Sequence, residues 1–301
     1  MTRLLAIVGP TGVGKSRMAV DVARALGGVE IVSCDSMAVY RGLDVVADKP
    51  PPADRAAVPH HLLDVVGTEA EFTVVSYRER AREAIASISA RGCVPMLVGG
   101  SGLYFRAVVD ELSFAPTSAE LRRELEQRDA AELYERLRAA DPAGAASLDP
   151  RNVRRVVRAV EVLELTGRRP SELRAEWESR NSPYDLRVVG LTRDRHELFA
   201  GAAERIERML DAGLVEEVRR ARERGLSRTA GQAVGVKEVV PFLEGRATLA
   251  EVRAELLRST KAFIRRQLSW FGADERIEWL NLSELGAERA REIVVSRFAG
   301  A

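Results

Sequence analysis

Short, largely apolar runs closed by glycine or polar turn residues recur at residues 4–8, 30–33, 61–66, 94–98, 186–191 and 276–280. Runs this short and this continuous predict strands buried on both faces, as in a parallel sheet. Between them, residues 15–26, 73–90 and 102–111 carry apolar positions at helical spacing. This alternation predicts an α/β fold on a mostly parallel sheet.

From about residue 118 to 179 the strand signal stops. Leu121, Leu125, Leu133 and Leu137 fall on one helical stripe, and Val153, Val156, Val157, Val160 and Leu163 on another. Pro116-Thr117-Ser118 precedes this stretch and Arg180-Asn181-Ser182-Pro183 follows it, both rich in turn formers. The pattern predicts an all-helical insertion at residues 116–185 within a core made of residues 1–115 and 186–301. The last third is again mostly helical, through residues 198–210, 214–224 and 249–270, and no internal repeat is present.

Composition narrows the function classes. The 46 basic and 45 acidic residues of the 301-residue chain leave a net charge of +1, which excludes a uniformly basic nucleic-acid coat but permits local basic surfaces. Cys34 and Cys93 lack metal-ligand spacing and predict small buried thiols. No apolar run is long enough for a transmembrane helix. The opening apolar run passes straight into a glycine-rich loop, unlike a cleaved leader, so the expected compartment is the cytoplasm.

That loop is the strongest chemical signal. Gly9-Pro10-Thr11-Gly12-Val13-Gly14-Lys15-Ser16 satisfies G-x-x-x-x-G-K-[ST], following a predicted strand and opening a predicted helix. Its glycines allow backbone N–H groups to turn toward phosphate oxygens. The helix N-terminus and Lys15 add positive charge, and Ser16 offers a hydroxyl to a magnesium ion. The expected core is therefore P-loop NTPase-like, with a polyphosphate or diphosphate at the loop. The strand at 94–98 ends in Gly99-Gly100-Ser101, with no acid of the kind that assists the metal in nucleoside triphosphatases. Asp35 instead lies just past the second strand, where an acid faces the ligand crevice of a parallel sheet. It is placed to hold a metal, to accept a proton from a nucleophile, or merely to cap a turn.

Further stretches make the pattern specific: Asp35-Ser36-Met37-Ala38-Val39-Tyr40-Arg41-Gly42-Leu43-Asp44, Val58-Pro59-His60-His61-Leu62-Leu63-Asp64 and Val98-Gly99-Gly100-Ser101-Gly102-Leu103-Tyr104 in the core, and Arg154-Arg155-Val156-Val157-Arg158-Ala159-Val160-Glu161-Val162 in the insertion. Gly231 to Glu238 and Arg265 to Phe271 extend the set. Together with the loop, these strongly resemble the tRNA dimethylallyltransferase (tRNA isopentenyltransferase) family over nearly the whole chain. The resemblance implies transfer of a dimethylallyl group from dimethylallyl diphosphate to N6 of the adenosine 3′-adjacent to the anticodon, with magnesium. It gives Asp35 the role of general base and gives the loop and Lys237 the diphosphate. Asp35, Ser36, Met37, Ala38, Ser101, Arg122, Arg154, Arg155, Val156, Val157 and Arg158 match positions that contact the tRNA anticodon stem-loop. His60 and His61 match without a catalytic role. The expected assembly is a monomer. Where members often carry Gly-Thr, this chain has Val46-Ala47 followed by Asp48, and Val236 replaces a common aromatic residue.

Three basic runs fit an RNA partner: Arg151, Arg154, Arg155 and Arg158; Arg258, Lys261, Arg265 and Arg266; and Arg219, Arg220, Arg222, Arg224 and Arg228. Any one such run is commonly a solvated helix face, but three in a nearly neutral chain suggest a reserved phosphate-binding surface. The competing readings are an adenylate isopentenyltransferase, a small-molecule kinase and a non-catalytic RNA-binding module. The first has little use for a helical insertion of about sixty residues carrying an arginine-rich helix. A kinase would transfer phosphoryl from ATP, and a binding module has no need of Lys15, Ser16 and Asp35 together.

Overall fold

The computed structural model describes residues 1–178 and 180–300. Six strands, β1 (Thr2–Val8), β2 (Val29–Cys34), β3 (His60–His61), β4 (Val94–Gly99), β5 (Tyr184–Thr192) and β6 (Ile277–Asn281), form one sheet in the order β3-β2-β4-β1-β5-β6. Every pairing is parallel. The central strand β1 explains the unbroken apolar run that marks it. Leu4, Ala6 and Val8 enter one core and Leu5 and Ile7 the other. Helices Lys15–Leu26 and Ala287–Ala299 supply the core that receives Leu5 and Ile7, while Val74–Ala90 and Gly102–Val109 supply the opposite one. The long helix Leu249–Gly272 contributes Val252, Leu256 and Phe271 to one core and Ile264 to the other. Among the described residues, no helix is long and apolar enough to cross a membrane.

The third strand is shorter than its apolar run predicts. Only His60 and His61 pair with β2, at Ile31 and Val32. Leu62 (φ 62°) and Asp64 (φ 57°) then adopt left-handed backbone, which no strand tolerates. Arg41 Nη1 donates to the carbonyls of Asp64 and Val65, both at 2.9 Å, and Val66 returns only as an isolated bridge to Tyr40. Leu62, Val65 and Val66 still pack on the core, so the apolarity reflects burial without regular pairing.

The chain divides into two compact units, Met1–Val109 with Pro183–Ala301, and Asp110–Ser182. The second is helical, with helices Ala119–Glu126, Ala130–Ala140, Pro142–Ala146, Val153–Thr166 and Pro170–Glu176, and no strand among its described residues. Ser118, Asp129, Asp141 and Asn152 cap four of these helices, each accepting from a backbone N–H of the first turn. Leu125, Leu133, Leu137, Val156, Val157 and Val160 meet in its core.

Its bounds differ from 116–185 at both ends, for identifiable reasons. Residues 110–118 are tied to the helices: Trp177 Nε1 donates to Ser113 O at 3.0 Å, Phe114 packs edge-on against Trp177, and Arg158 donates to the carbonyls of Ala115 and Pro116. At the other end, Tyr184 and Asp185 already pair with Thr2 and Arg3 of β1.

Candidate active site

At the carboxyl ends of the strands lies a crevice of about 900 Å³, wholly within the first unit. The loop after β1 forms one wall, with Thr11, Gly12, Gly14, Lys15 and Ser16 lining it. Gly9, Pro10 and Val13 shape the loop from behind. Gly9 has φ 144°, and a Cβ there would lie 2.3 Å from Leu191 O on β5, so no other residue fits. Val13 is buried, and Pro10 O accepts from Lys15 Nζ at 2.7 Å. Burial pulls the Lys15 ammonium down to about 8, although the nearby Asp35 charge acts to raise it.

Asp35 follows β2 directly and lines the same crevice with Ser36, Met37 and Ala38. Its Oδ1 accepts from the backbone N–H of Met37 at 2.7 Å and of Ala38 at 3.2 Å. One oxygen thus caps the turn, while Oδ2 has no hydrogen bond among the described residues. Turn capping and proton acceptance, alternatives in the sequence, are compatible in one carboxylate. Behind the end of β2, Tyr77 Oη donates to Ser33 O at 2.9 Å and stacks on Tyr104 with ring centroids 4.1 Å apart. Cys34 is buried here, its thiol pushed up to about 12 by burial, whereas Cys93 is only partly buried. His60 lines the crevice, held by Val58 O at 2.7 Å, and His61 contacts Glu30 at 2.6 Å.

Two residues that sequence reasoning leaves unassigned complete the loop's surroundings. Gln267 is buried. Its Oε1 accepts from Thr11 N at 2.8 Å and its Nε2 donates to Gly100 O at 2.9 Å, joining the phosphate loop to the loop after β4. A Cβ on Gly100 would lie 2.2 Å from that Nε2. Arg205, on helix Arg195–Asp211, lines the crevice and donates to Thr11 Oγ1. Gln267 lies inside a matched stretch, whereas nothing local sets Arg205 apart from Arg195 or Arg208. Lys237 lines the same crevice, half-exposed, with Nζ 3.6 Å from Glu238. Ser101 lines it too.

In the helical unit, the arginine-rich stretch separates into two kinds of residue. Arg122 and Arg158 both bond to Glu161, at 2.8 and 2.7 Å, and the Glu161 side chain is wholly buried. Burial alone would push this carboxyl up, but the hydrogen bonds from the two guanidinium groups outweigh it and hold it below the usual range. Val156 and Val157 are 0% and 1% exposed, so their side chains pack the core and are closed to a ligand. Arg154 and Arg155 are exposed, with no ion pair among the described residues.

The other basic runs diverge in the same way. Arg219 and Arg220 share Glu216, and Arg222 pairs with Glu244. Lys261 and Arg265, joined by Arg195, instead surround the ring of Phe199 at 5.2–5.6 Å. They have no ion pair among the described residues.

The family model described as IPP transferase matches residues 38–274, most of the chain. A tRNA dimethylallyltransferase of Streptomyces coelicolor is 46% identical over 285 residues, covering 93% of this chain and 90% of that protein. One from Syntrophomonas wolfei is 41% identical, covering 96% and 94%. The crystal structure of a full-length tRNA isopentenylpyrophosphate transferase from Bacillus halodurans superposes with a TM-score of 0.75 at 34% identity, covering all of this chain and 96% of that one. With a phosphate loop at the head of a parallel sheet and likeness of this extent from end to end, the chain belongs to the IPP transferase family.

Proposed function

We infer that this protein is a tRNA dimethylallyltransferase: it moves a dimethylallyl group from dimethylallyl diphosphate to N6 of the adenosine 3′-adjacent to the anticodon and releases diphosphate. The observation that carries the chemistry is a carboxylate oxygen of Asp35 without a hydrogen-bond partner among the described residues, in the same crevice as the phosphate loop. The adenine amine is a weak nucleophile because its lone pair is delocalised into the ring. As N6 bonds to C1 of the donor, the C1–O bond breaks and diphosphate leaves with the electron pair. Asp35 accepts the N6 proton. The loop N–H groups, Lys15 and Arg205 meet the growing charge on the leaving group, and Lys237 lines the same crevice. No phosphoryl group moves, which suits a site without a strand-end acid after β4.

Among the described residues, no three His, Cys, Asp or Glu side chains converge as a self-sufficient metal site. Ser16 fits magnesium nonetheless, since that ion commonly takes few protein oxygens and completes its shell with phosphate and water. Bound there, it would supply further charge neutralisation to the diphosphate. The loop, Asp35, Arg205 and Lys237 all line this one crevice, and the expected active form is a monomer.

Incubating a tRNA transcript with the protein, magnesium and dimethylallyl diphosphate should yield N6-dimethylallyladenosine by nucleoside mass spectrometry, with AMP left unmodified in a parallel reaction. Prenylation of AMP with untouched tRNA would instead identify an adenylate isopentenyltransferase. Arg154 and Arg155 are the clean probes of RNA contact, because Arg158 anchors its own unit. Replacing both with Ala should weaken tRNA binding and lower the salt slope of log affinity by roughly one to two units. An unchanged slope in a filter-binding titration would return these arginines to a solvated face.

A further inference from the structure

Asp48 stands where the chain departs from the family pattern, and its backbone is fixed from both sides. The N–H groups of Asp44, Val45 and Val46 all donate to the Glu217 carboxylate at 2.8–2.9 Å. Beyond it, Lys49 Nζ bonds to Tyr40 O, Asp44 and Asp64. Between these anchors Asp48 adopts left-handed backbone, φ 49°, a conformation that costs most residues energy and clusters at functional sites. Its carboxylate takes no part in this scaffold. It makes no hydrogen bond among the described residues and is largely exposed at the crevice.

What it faces is Arg205. Asp48 Oδ2 lies 3.5 Å from Arg205 Nε, and that Nε is buried without a hydrogen-bond partner among the described residues. The other end of the same guanidinium touches Thr11 of the phosphate loop. The Asp48 charge also acts on Lys15, against the effect of burial. A negative charge on a held backbone therefore lies beside one cation that would hold a diphosphate, Arg205, and acts electrostatically on a second, Lys15. It is not hydrogen-bonded to either, so it stabilises them less than a phosphate would and repels a phosphate that arrives.

We propose that Asp48 is a built-in competitor for the diphosphate site: it faces Arg205 when the site is empty and weakens retention of the product diphosphate, speeding its release. This rests on the reading that the phosphate loop takes the donor's diphosphate. No bond is made or broken in this role, so Asp48 is a positioning residue acting through Arg205.

The test is calorimetric binding of inorganic pyrophosphate with magnesium to the full chain and to D48N and D48G. Asn and Gly both accept left-handed backbone, so either variant removes the charge and keeps the turn. Both should bind pyrophosphate roughly three- to tenfold more tightly than the wild type. Pyrophosphate should also become a stronger product inhibitor, with the single-turnover rate of transfer little changed while multiple turnover slows. A merely structural role would not divide single from multiple turnover in this way. Equal or weaker pyrophosphate binding by both variants, with wild-type binding intact, overturns the role of Asp48 alone. Failure of the wild type to bind pyrophosphate or to transfer a prenyl group overturns the reading beneath it as well.

Discussion

Replacing Asp35 with Asn should slow the chemical step by about two to four orders of magnitude, the range expected for loss of a general base. The substitution is unusually clean here. The amide keeps an Oδ1 that can accept from Met37 N and Ala38 N, so the turn after β2 survives. What disappears is the basicity of the carboxylate. Donor affinity and tRNA affinity should therefore stay close to wild type while the single-turnover rate collapses. Rapid-quench measurement at saturating substrates decides the matter, and a rate within a few-fold of wild type would assign the proton to another group.

Lys15→Ala should lower kcat/KM for dimethylallyl diphosphate by about a hundred- to a thousandfold, since the ammonium meets the diphosphate both before and during departure. Its position makes a pH signature available. Burial lowers this ammonium to about 8 in the free protein, below its ordinary 10.5. A bound diphosphate favours the charged form and raises the value again. Below about pH 8 the lysine is already protonated, and affinity for the donor should be flat. Above it, binding must take up a proton, so affinity should fall by about tenfold per pH unit. The alanine variant should lose that decline along with most of its affinity. Titrations between pH 7 and 9.5 that show the same slope in both proteins would exclude Lys15 as its source.

Which of the basic residues are open to an RNA depends on the acids that face them in the folded protein. Three basic runs look equivalent along the chain, yet Arg219 and Arg220 pair with Glu216 and Arg222 with Glu244. Arg154 and Arg158, four apart on one helix, point to different fates. Arg154 is exposed, and Arg158 closes on Glu161 and on the carbonyls of residues 115 and 116. Helical spacing gives the face of a residue but not what stands opposite it. That depends on the irregular segment 110–118, which has no periodicity to read.

The amino-acid sequence alone determined the parallel α/β core, the helical insertion, the phosphate loop and the place of Asp35 at the end of a strand. Each of these is written locally: eight contiguous residues build the loop, and short-range apolar patterns set strand and helix. The tertiary structure decided the rest. It cut the third strand to two residues, because left-handed backbone at Leu62 and Asp64 satisfies burial without pairing. It also brought Arg205 and Gln267, 194 and 256 residues from Thr11 in the chain, onto that loop. A hydrophobic pattern fixes which side of a helix is buried, since burial scales with apolar area whatever the partner. Which polar side chain completes a distant loop is set by directional hydrogen bonds, and these exist only after the helices have packed against the sheet.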